Sequence, residues 1–250
     1  MRLPGTIVTY ASLTPPYFAN PLSNINNGNI YDNFATSDGM TSVRIDLGSV
    51  GSIKSIKFWH YWQDSRTYYN VQVMVSSDGS RWKRIYGPTN TLQLSSGTEI
   101  LLSSISPLLP YFVIPSSYSY DIQPKDSYPD SSSELADGII AAYYVGGGVG
   151  SVDRYRPWVG WHGNPTITFS FERSVLISKV SIHFQGDHEG GIYLPVSVTI
   201  SGTTFPIGDL SRNGWFEFSG LWSGDIVTIK IQSSVEWTFI SEVMFTEGKF

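Results

Sequence analysis

The stretch Val43-Arg44-Ile45-Asp46-Leu47-Gly48, together with Ile53-Lys54-Ser55-Ile56-Lys57-Phe58 and Val71-Gln72-Val73-Met74-Val75-Ser76, occurs a second time in this chain. The second copy reads Ile167-Thr168-Phe169-Ser170-Phe171-Glu172, Ile177-Ser178-Lys179-Val180-Ser181-Ile182 and Val196-Ser197-Val198-Thr199-Ile200-Ser201. The first two segments align at one constant offset, and the third is shifted by a single residue. Every segment alternates apolar and polar side chains, which is the period of a strand with one buried face. The repeat therefore predicts an all-β fold of two tandem, related β-sandwich domains.

The same alternation predicts strands along most of the chain. We expect them at 6–10, 42–47, 53–61, 69–76, 81–86, 98–102, 166–172, 176–184, 195–200, 203–207, 214–218, 226–232 and 237–246. The Pro-punctuated segment 106–119 predicts a junction between a first domain, 1–105, and a second, 120–250, in which 120–165 begins as an irregular region. Ten repeat positions are expected to be buried: Ile45, Ile56, Phe58, Val73, Val75, Phe169, Val180, Ile182, Val198 and Ile200.

The composition restricts the class of protein. The 250 residues include 15 Tyr, 13 Phe and 8 Trp, no cysteine, and 16 basic against 21 acidic residues. No basic stripe and no long apolar window occur, so we expect neither a nucleic-acid partner nor membrane insertion. The N-terminus has no apolar signal-peptide region. These features predict a virion structural protein, or alternatively an excised piece of a larger extracellular protein.

The first half resembles a known family. Arg44-Ile45-Asp46-Leu47-Gly48, Arg66-Thr67-Tyr68-Tyr69 and Ser76-Ser77-Asp78-Gly79-Ser80-Arg81-Trp82 are similar to the discoidin domain, the C-type domain of coagulation factors V and VIII. This resemblance implies galactose-binding-like, jelly-roll β-sandwich domains. The stretch from Trp59 to Tyr68 resembles discoidin-like modules of phage tail and other virion proteins. The first domain departs from the family in lacking its closing Arg-Tyr-Val-Arg strand and terminal Glu.

The second half is similar to the same superfamily in two places. Tyr128-Pro129-Asp130 and Leu135-Ala136-Asp137-Gly138 resemble the start of such domains, and Ser241-Glu242-Val243 resembles a closing strand. The resemblance implies a structural Ca²⁺ held by Asp137 and Glu242, with Asp126 or Asp130, and by Asp38 in the first domain. Carboxylate and backbone carbonyl oxygens are the ligands that calcium prefers. The alternative is a solvated acidic loop with Asp-Gly turns.

Two aromatic clusters are candidates for sugar binding, because aromatic faces stack on sugar C–H surfaces and polar side chains bind hydroxyl groups. The candidates in the first domain are Trp59, His60, Tyr61, Trp62, Arg66 and Tyr68. Those in the second are Arg154, Tyr155, Trp158, Trp161, His162, His188 and Trp222. The alternative is structural: Trp82, Trp158 and Trp161 plug the sandwich ends, and Arg66 braces a loop.

Catalytic motifs are absent from the sequence. It contains four His and no Cys, and neither Gly-x-Ser-x-Gly nor His-Glu-x-x-His occurs. The glycine run 146–150 lacks the Lys of a phosphate-binding loop. Paired glycosidase carboxylates stay an open alternative among the acidic residues, because their spacing is spatial. We predict a protein that is not an enzyme.

These observations predict a virion surface protein that binds host-surface glycans. Other virion proteins and a second copy of the chain are the expected further partners. Two alternatives stay open: a purely structural virion assembly protein, and a carbohydrate-binding module of a secreted glycan-degrading enzyme. Fold alone does not decide between them, because one fold serves many functions.

Overall fold

The computed structural model describes residues 7–11, 25, 42–64, 67–91, 94–104, 110–125, 127–130, 134–138, 158–186, 192–207, 214–233 and 237–248. The chain divides into two compact units, Met1–Phe112 and Val113–Phe250. This boundary lies within the segment 106–119, where the sequence predicts a junction. The limits of the two domains, and their identity as tandem sandwiches, stay predictions.

The described residues form strands and no α-helix, which confirms the all-β fold class. The strands are β1 (Ile7–Ala11), β2 (Ser42–Asp46), β3 (Ser55–Phe58), β4 (Tyr68–Val75), β5 (Arg81–Thr91), β6 (Thr98–Leu101), β7 (Tyr111–Val113), β8 (Ser117–Tyr120), β9 (Val159–His162), β10 (Thr166–Phe184), β11 (Ser197–Ile200), β12 (Thr203–Pro206), β13 (Gly214–Gln232) and β14 (Trp237–Glu247). A single 3-10 turn follows β6 at Leu102–Ser104. None of the described segments is a helix able to cross a membrane.

The second unit is built around the 19-residue strand β10. Its strands follow the order β12-β11-β13-β10-β14, with β8 paired to β10 and β9 paired to β14. All of these pairs are antiparallel. The first part of β10 has β8 beside it and the last part has β14, so the two parts have different neighbours.

A phenylalanine shows that these two parts face each other across one core. Phe245 is paired with Val180 in the last part of β10. Its ring nevertheless contacts Phe169, 4.9 Å away between ring centroids, and Phe171, 5.2 Å away, both in the first part. The sheet therefore folds over itself as a two-layered sandwich. The predicted core of this copy is confirmed, because Phe169, Val180, Ile182, Val198 and Ile200 have no exposed surface.

The repeat is less regular in the structure than in the sequence. Residues 167–172 and 177–182 belong to one strand, whereas 43–48 and 53–58 belong to β2 and β3, which pair with different strands. The prediction of two separate strands at 166–172 and 176–184 is therefore wrong. In the first copy Gly48, with φ of +74°, ends β2. The corresponding part of β10 has no glycine, and it stays extended through a bulge between Ser170 and Val175.

The first unit has a much thinner core among its described residues. Its strands pair as β1-β2, β3-β6 and β4-β5. Ile45 is 46% exposed, so its predicted burial is wrong. Strand β2 pairs with β1 in a two-stranded ribbon, and two strands by themselves bury little apolar surface. Ile56, Phe58, Val73 and Val75 are half-buried.

Residues 77–80 form the turn between β4 and β5. Asp78 Oδ1 accepts hydrogen bonds from the N–H groups of Ser80 (2.9 Å) and Arg81 (2.8 Å). The bond from Arg81 is the main reason that the pKa of Asp78 falls to about 2. Gly79 has a φ of +78°, which favours glycine at this position.

Candidate functional site

Six aromatic rings form a continuous row on the face of the second unit's sheet that is opposite its core. We call this set the aromatic row: Trp215, His183, Trp158, Phe239, Trp237 and His162. Strand pairing explains the arrangement, because directly opposed residues share a face. Trp215 is opposite His183, and Trp237 is opposite His162. Their chain neighbours Phe184 and Trp161 point to the core instead.

The rings contact one another in sequence along the row. The centroid of His183 lies 5.2 Å from that of Trp215 and 5.3 Å from that of Trp158. Trp158 packs with Phe239, which stacks on Trp237 at 5.5 Å. His162 then contacts Trp237 edge-on at 5.4 Å. Tyr128 packs against both Trp237 and Phe239 from outside the row.

A glycine makes room for this packing. Gly160 is opposite Phe239 in the β9-β14 pair. A Cβ atom at Gly160 would lie 2.6 Å from Phe239 Cε1 and 2.9 Å from Tyr128 Cβ. Two rings can therefore lie directly on the backbone of β9 only because this residue has no side chain.

The middle of the aromatic row is buried and its ends reach the surface. His183, Trp158 and Phe239 are between 1% and 4% exposed. Trp215 and Trp237 are half-buried, and His162 is exposed. The two terminal indoles therefore have accessible surface while their supports have almost none. A partly exposed indole held by buried rings can stack on the apolar face of a sugar.

His183 has an unusual environment for a histidine. Its Nδ1 lies 2.6 Å from Ser241 Oγ, and its ring is 1% exposed. Burial lowers the pKa of His183 to about 4. Glu242 lies directly opposite on β14 and is also buried. The imidazole is therefore uncharged near neutral pH. In this form it packs as an aromatic ring between the indoles of Trp215 and Trp158.

Three predicted ligand residues of this unit are buried. Trp161 has no exposed surface, and Trp158 and Trp222 are 4% and 7% exposed. Trp161 points inward from β9 towards Tyr120, and Trp222 covers Gly220, where a Cβ would meet the indole at 2.5 Å. Rings this buried expose little surface to a ligand, which favours the structural alternative, and their assignment as ligand contacts stays a prediction. His162 is exposed, whereas Arg154, Tyr155 and His188 lie outside the described residues.

The predicted cluster of the first unit is also largely packed. His60 stacks on Tyr68, with centroids 4.0 Å apart, and its Nδ1 lies 3.1 Å from Thr91 Oγ1. Burial lowers the pKa of His60. The ring of Trp59 lies under Lys57 Nζ, 5.2 Å from the ring centroid, and against Gly97.

The other described members of that cluster keep some accessible surface. Tyr61 donates its hydroxyl hydrogen to Gln63 Oε1 at 3.1 Å, and Trp62 is half-buried. Arg66 lies outside the described residues. The first-unit candidates stay predictions, but the described contacts hold His60 and Tyr68 against each other.

The structure brings only some of the predicted calcium ligands close to one another. The N–H of Gly138 donates to Glu242 Oε2 at 2.8 Å, which ties the loop 134–138 to β14. Asp130 Oδ1 instead accepts from the Tyr118 hydroxyl at 2.9 Å. Asp38 and Asp126 lie outside the described residues. Asp137 lies within them and is half-buried. Within that described part, no three acidic or histidine side chains are grouped for a metal. A calcium ion would therefore need backbone carbonyl oxygens as its main ligands.

Sequence reasoning missed Trp215, Trp237 and Phe239. The signal was present in the strand 237–246, where Trp237 and Phe239 alternate with Thr238 and Ile240. Parity places the two rings together on the face opposite Ile240.

No family model and no curated protein matches this chain. Three similar solved structures are carbohydrate-binding modules. The family 32 module of NanJ from C. perfringens, in complex with galactose, is 12% identical, with 52% of this chain and 93% of that chain covered and a TM-score of 0.35. The family 32 module of AlyQ, in complex with 4,5-unsaturated mannuronic acid, is 14% identical, with 54% and 96% covered and a TM-score of 0.34.

A chitosan-binding module from a chitosanase/glucanase of Paenibacillus sp. IK-5 is 11% identical, with 53% of this chain and 95% of that chain covered and a TM-score of 0.36. No phage tail protein is among these three.

Proposed function

We propose that this chain binds glycans non-covalently at the exposed end of the aromatic row, where Trp237 and His162 lie side by side. The observation that carries the proposal is the half-buried indole of Trp237, stacked at 5.5 Å on the buried ring of Phe239. A rigid aromatic face beside an exposed imidazole suits a sugar, which needs one stacking surface and a few hydrogen-bonding groups.

Polar groups border this end of the row. Asn164 is exposed and accepts a hydrogen bond from the N–H of Ser233 at 2.8 Å. Ser233 Oγ in turn donates to the carbonyl oxygen of Trp237 at 3.4 Å. Lys125 is also exposed, and its N–H donates to the carbonyl oxygen of Gly160 at 2.9 Å. These side chains can hydrogen bond to sugar hydroxyl groups around the indole.

The setting of this binding is a second part of the proposal. We place a carbohydrate-binding module of a glycan-degrading enzyme first, since one similar structure derives from a chitosanase/glucanase. A virion surface protein that binds host glycans, with other virion proteins or further copies as partners, stays an alternative. In both settings the chain itself acts as a non-catalytic binder.

An assembly role is a second candidate function, and one observation favours it. Val43 and Ile45, on the same face of β2, are 41% and 46% exposed. Exposed apolar pairs on a strand suit contact with another protein. Size-exclusion chromatography with light scattering tests this candidate, because Ile45→Lys would dissociate an oligomer built on this face.

Glycan-array screening of the full chain tests the main proposal. Binding to one or more glycans is expected, and His162→Ala and Trp237→Ala should reduce it by about tenfold or more. His162→Ala removes an exposed ring and leaves folding intact. Leu221→Ala is the control, because Leu221 is 76% exposed and lies outside the row. Absence of binding across neutral and acidic glycans would refute the proposal.

A further inference from the structure

We propose that the second unit binds an extended glycan chain through two indoles, Trp237 and Trp215, rather than a single terminal sugar. This inference rests on the proposed function and specifies its ligand as an oligosaccharide or a polysaccharide segment. It follows from the arrangement of the aromatic row, which has an accessible indole near each end and a buried middle.

The two indoles are parts of one rigid structure. Trp215 contacts His183, His183 stacks on Trp158, and Trp158 packs with Phe239 beneath Trp237. Each connecting ring is at least nine-tenths buried. Buried rings cannot stack on a ligand themselves, but they hold the terminal indoles at a set separation. Such preorganisation reduces the entropy lost when a ligand contacts both.

Strand register sets the separation of the two indoles. His183 is opposite Trp215 on β13 and opposite Glu242 on β14. Trp237 lies five residues before Glu242 on β14, which is two strands away from β13. With about 4.8 Å between strands and about 3.3 Å per residue, and with the bulge in β14 between Ile240 and Glu242, the two tryptophan backbones are roughly 16–19 Å apart. A single pyranose ring cannot span this distance, whereas an oligosaccharide can.

Polar groups also accompany the second indole. Glu217 is exposed and follows Trp215 by two residues on the same face of β13. Its Oε1 lies 2.7 Å from Lys179 Nζ on β10. A carboxylate and an ammonium group beside an indole can bind sugar hydroxyl groups. Both ends of the row therefore combine an aromatic face with hydrogen-bonding side chains.

The test compares ligands of increasing length. The full chain is applied to an array that carries neutral and uronate-containing glycans, each as a monosaccharide, disaccharide, tetrasaccharide and hexasaccharide of one linkage. Contact with both indoles should raise the affinity by about tenfold or more between the short and the long ligands, because the second contact is intramolecular. Trp215→Ala should remove this gain, so that the variant binds hexasaccharides no more tightly than disaccharides. Leu221→Ala, also on β13, should keep the gain.

The outcomes separate this inference from the proposed function. Binding that is equally tight for monosaccharides and hexasaccharides overturns the extended-chain inference and leaves glycan binding in place. An equal loss of affinity for ligands of every length in Trp215→Ala also overturns the extended-chain inference. A chain that binds no glycan of any length overturns both. The length series on the unaltered protein decides the inference even if Trp215→Ala does not fold.

Discussion

The ring of His183 lies stacked on the indole of Trp158, with ring centroids 5.3 Å apart and an interplanar angle of 16°. His183 lies in β10, and Trp158 is the residue immediately before β9. The contact holds a titratable ring in the buried middle of the aromatic row. Protonation of His183 would place a positive charge where its ring is 1% exposed. The stability of the second unit should therefore depend on pH through this residue.

The first prediction concerns that pH dependence. The pKa of His183 is about 4 in the folded chain, against 6.5 for an ordinary histidine. The unfolded state therefore takes up the proton first, and stability is lost as pH falls from about 6.5 to about 4, by about 3 kcal/mol at most. Urea denaturation across this range, in the unaltered chain and in His183→Gln, measures the difference. The variant should show a smaller decrease, whereas His162→Gln should retain the full one. If the unfolding free energies of His183→Gln and of the unaltered chain decrease equally as the pH falls, the pH dependence does not come from His183.

The second prediction compares equal substitutions at two repeat positions. Ile182→Ala should lower the unfolding free energy by about 2–5 kcal/mol, because the side chain is buried and leaves a cavity. Ile45→Ala should lower it by less than about 1 kcal/mol, because Ile45 is 46% exposed. Chemical denaturation of both variants provides the measurement. Similar losses at the two positions would show that Ile45 is covered in solution.

The third prediction concerns the glycine beneath the aromatic row. Gly160→Ala should lower the unfolding free energy by about 1–3 kcal/mol, because the new methyl group displaces Phe239 and Tyr128. The same variant should weaken glycan binding, since Trp237 rests on Phe239. Gly51→Ala is the control, because a Cβ there meets nothing within 4 Å. An unchanged melting temperature and unchanged binding in Gly160→Ala would contradict the packing described for the row.

The fourth prediction concerns the proposed calcium ion. An ion that ties the loop 134–138 to Glu242 would stabilise the folded chain by mass action. EDTA should lower the melting temperature, and added CaCl₂ should restore it. Glu242→Gln keeps an oxygen acceptor for Gly138 but removes the charge, so it should abolish the response to EDTA. A melting temperature that EDTA leaves unchanged in the unaltered chain would refute calcium binding.

The structure places two tryptophans, Trp161 and Trp237, differently from the sequence prediction. The sequence predicts that Trp161 binds ligand, but in the structure Trp161 is a core residue. The sequence predicts Trp237 only as part of a strand, but in the structure its indole is half-buried and reaches the surface. Alternation within each strand separates Trp237 from Ile240 and Trp161 from His162, but it does not show which face of the sheet is covered. The face that each ring occupies depends on parity within β9 and β14 and on the sheet layer that covers that face.

The sequence by itself determined the all-β fold class and the core of the second unit. It could do so because alternation along a strand assigns side chains to two faces, and the apolar face must be buried. Only the tertiary structure decided that Ile45 is exposed while Phe169 is buried, and that Trp215 and Trp237 lie at opposite ends of one aromatic row. These outcomes depend on contacts between segments far apart in the chain, such as Trp158 on His183, and no local pattern specifies which segments meet.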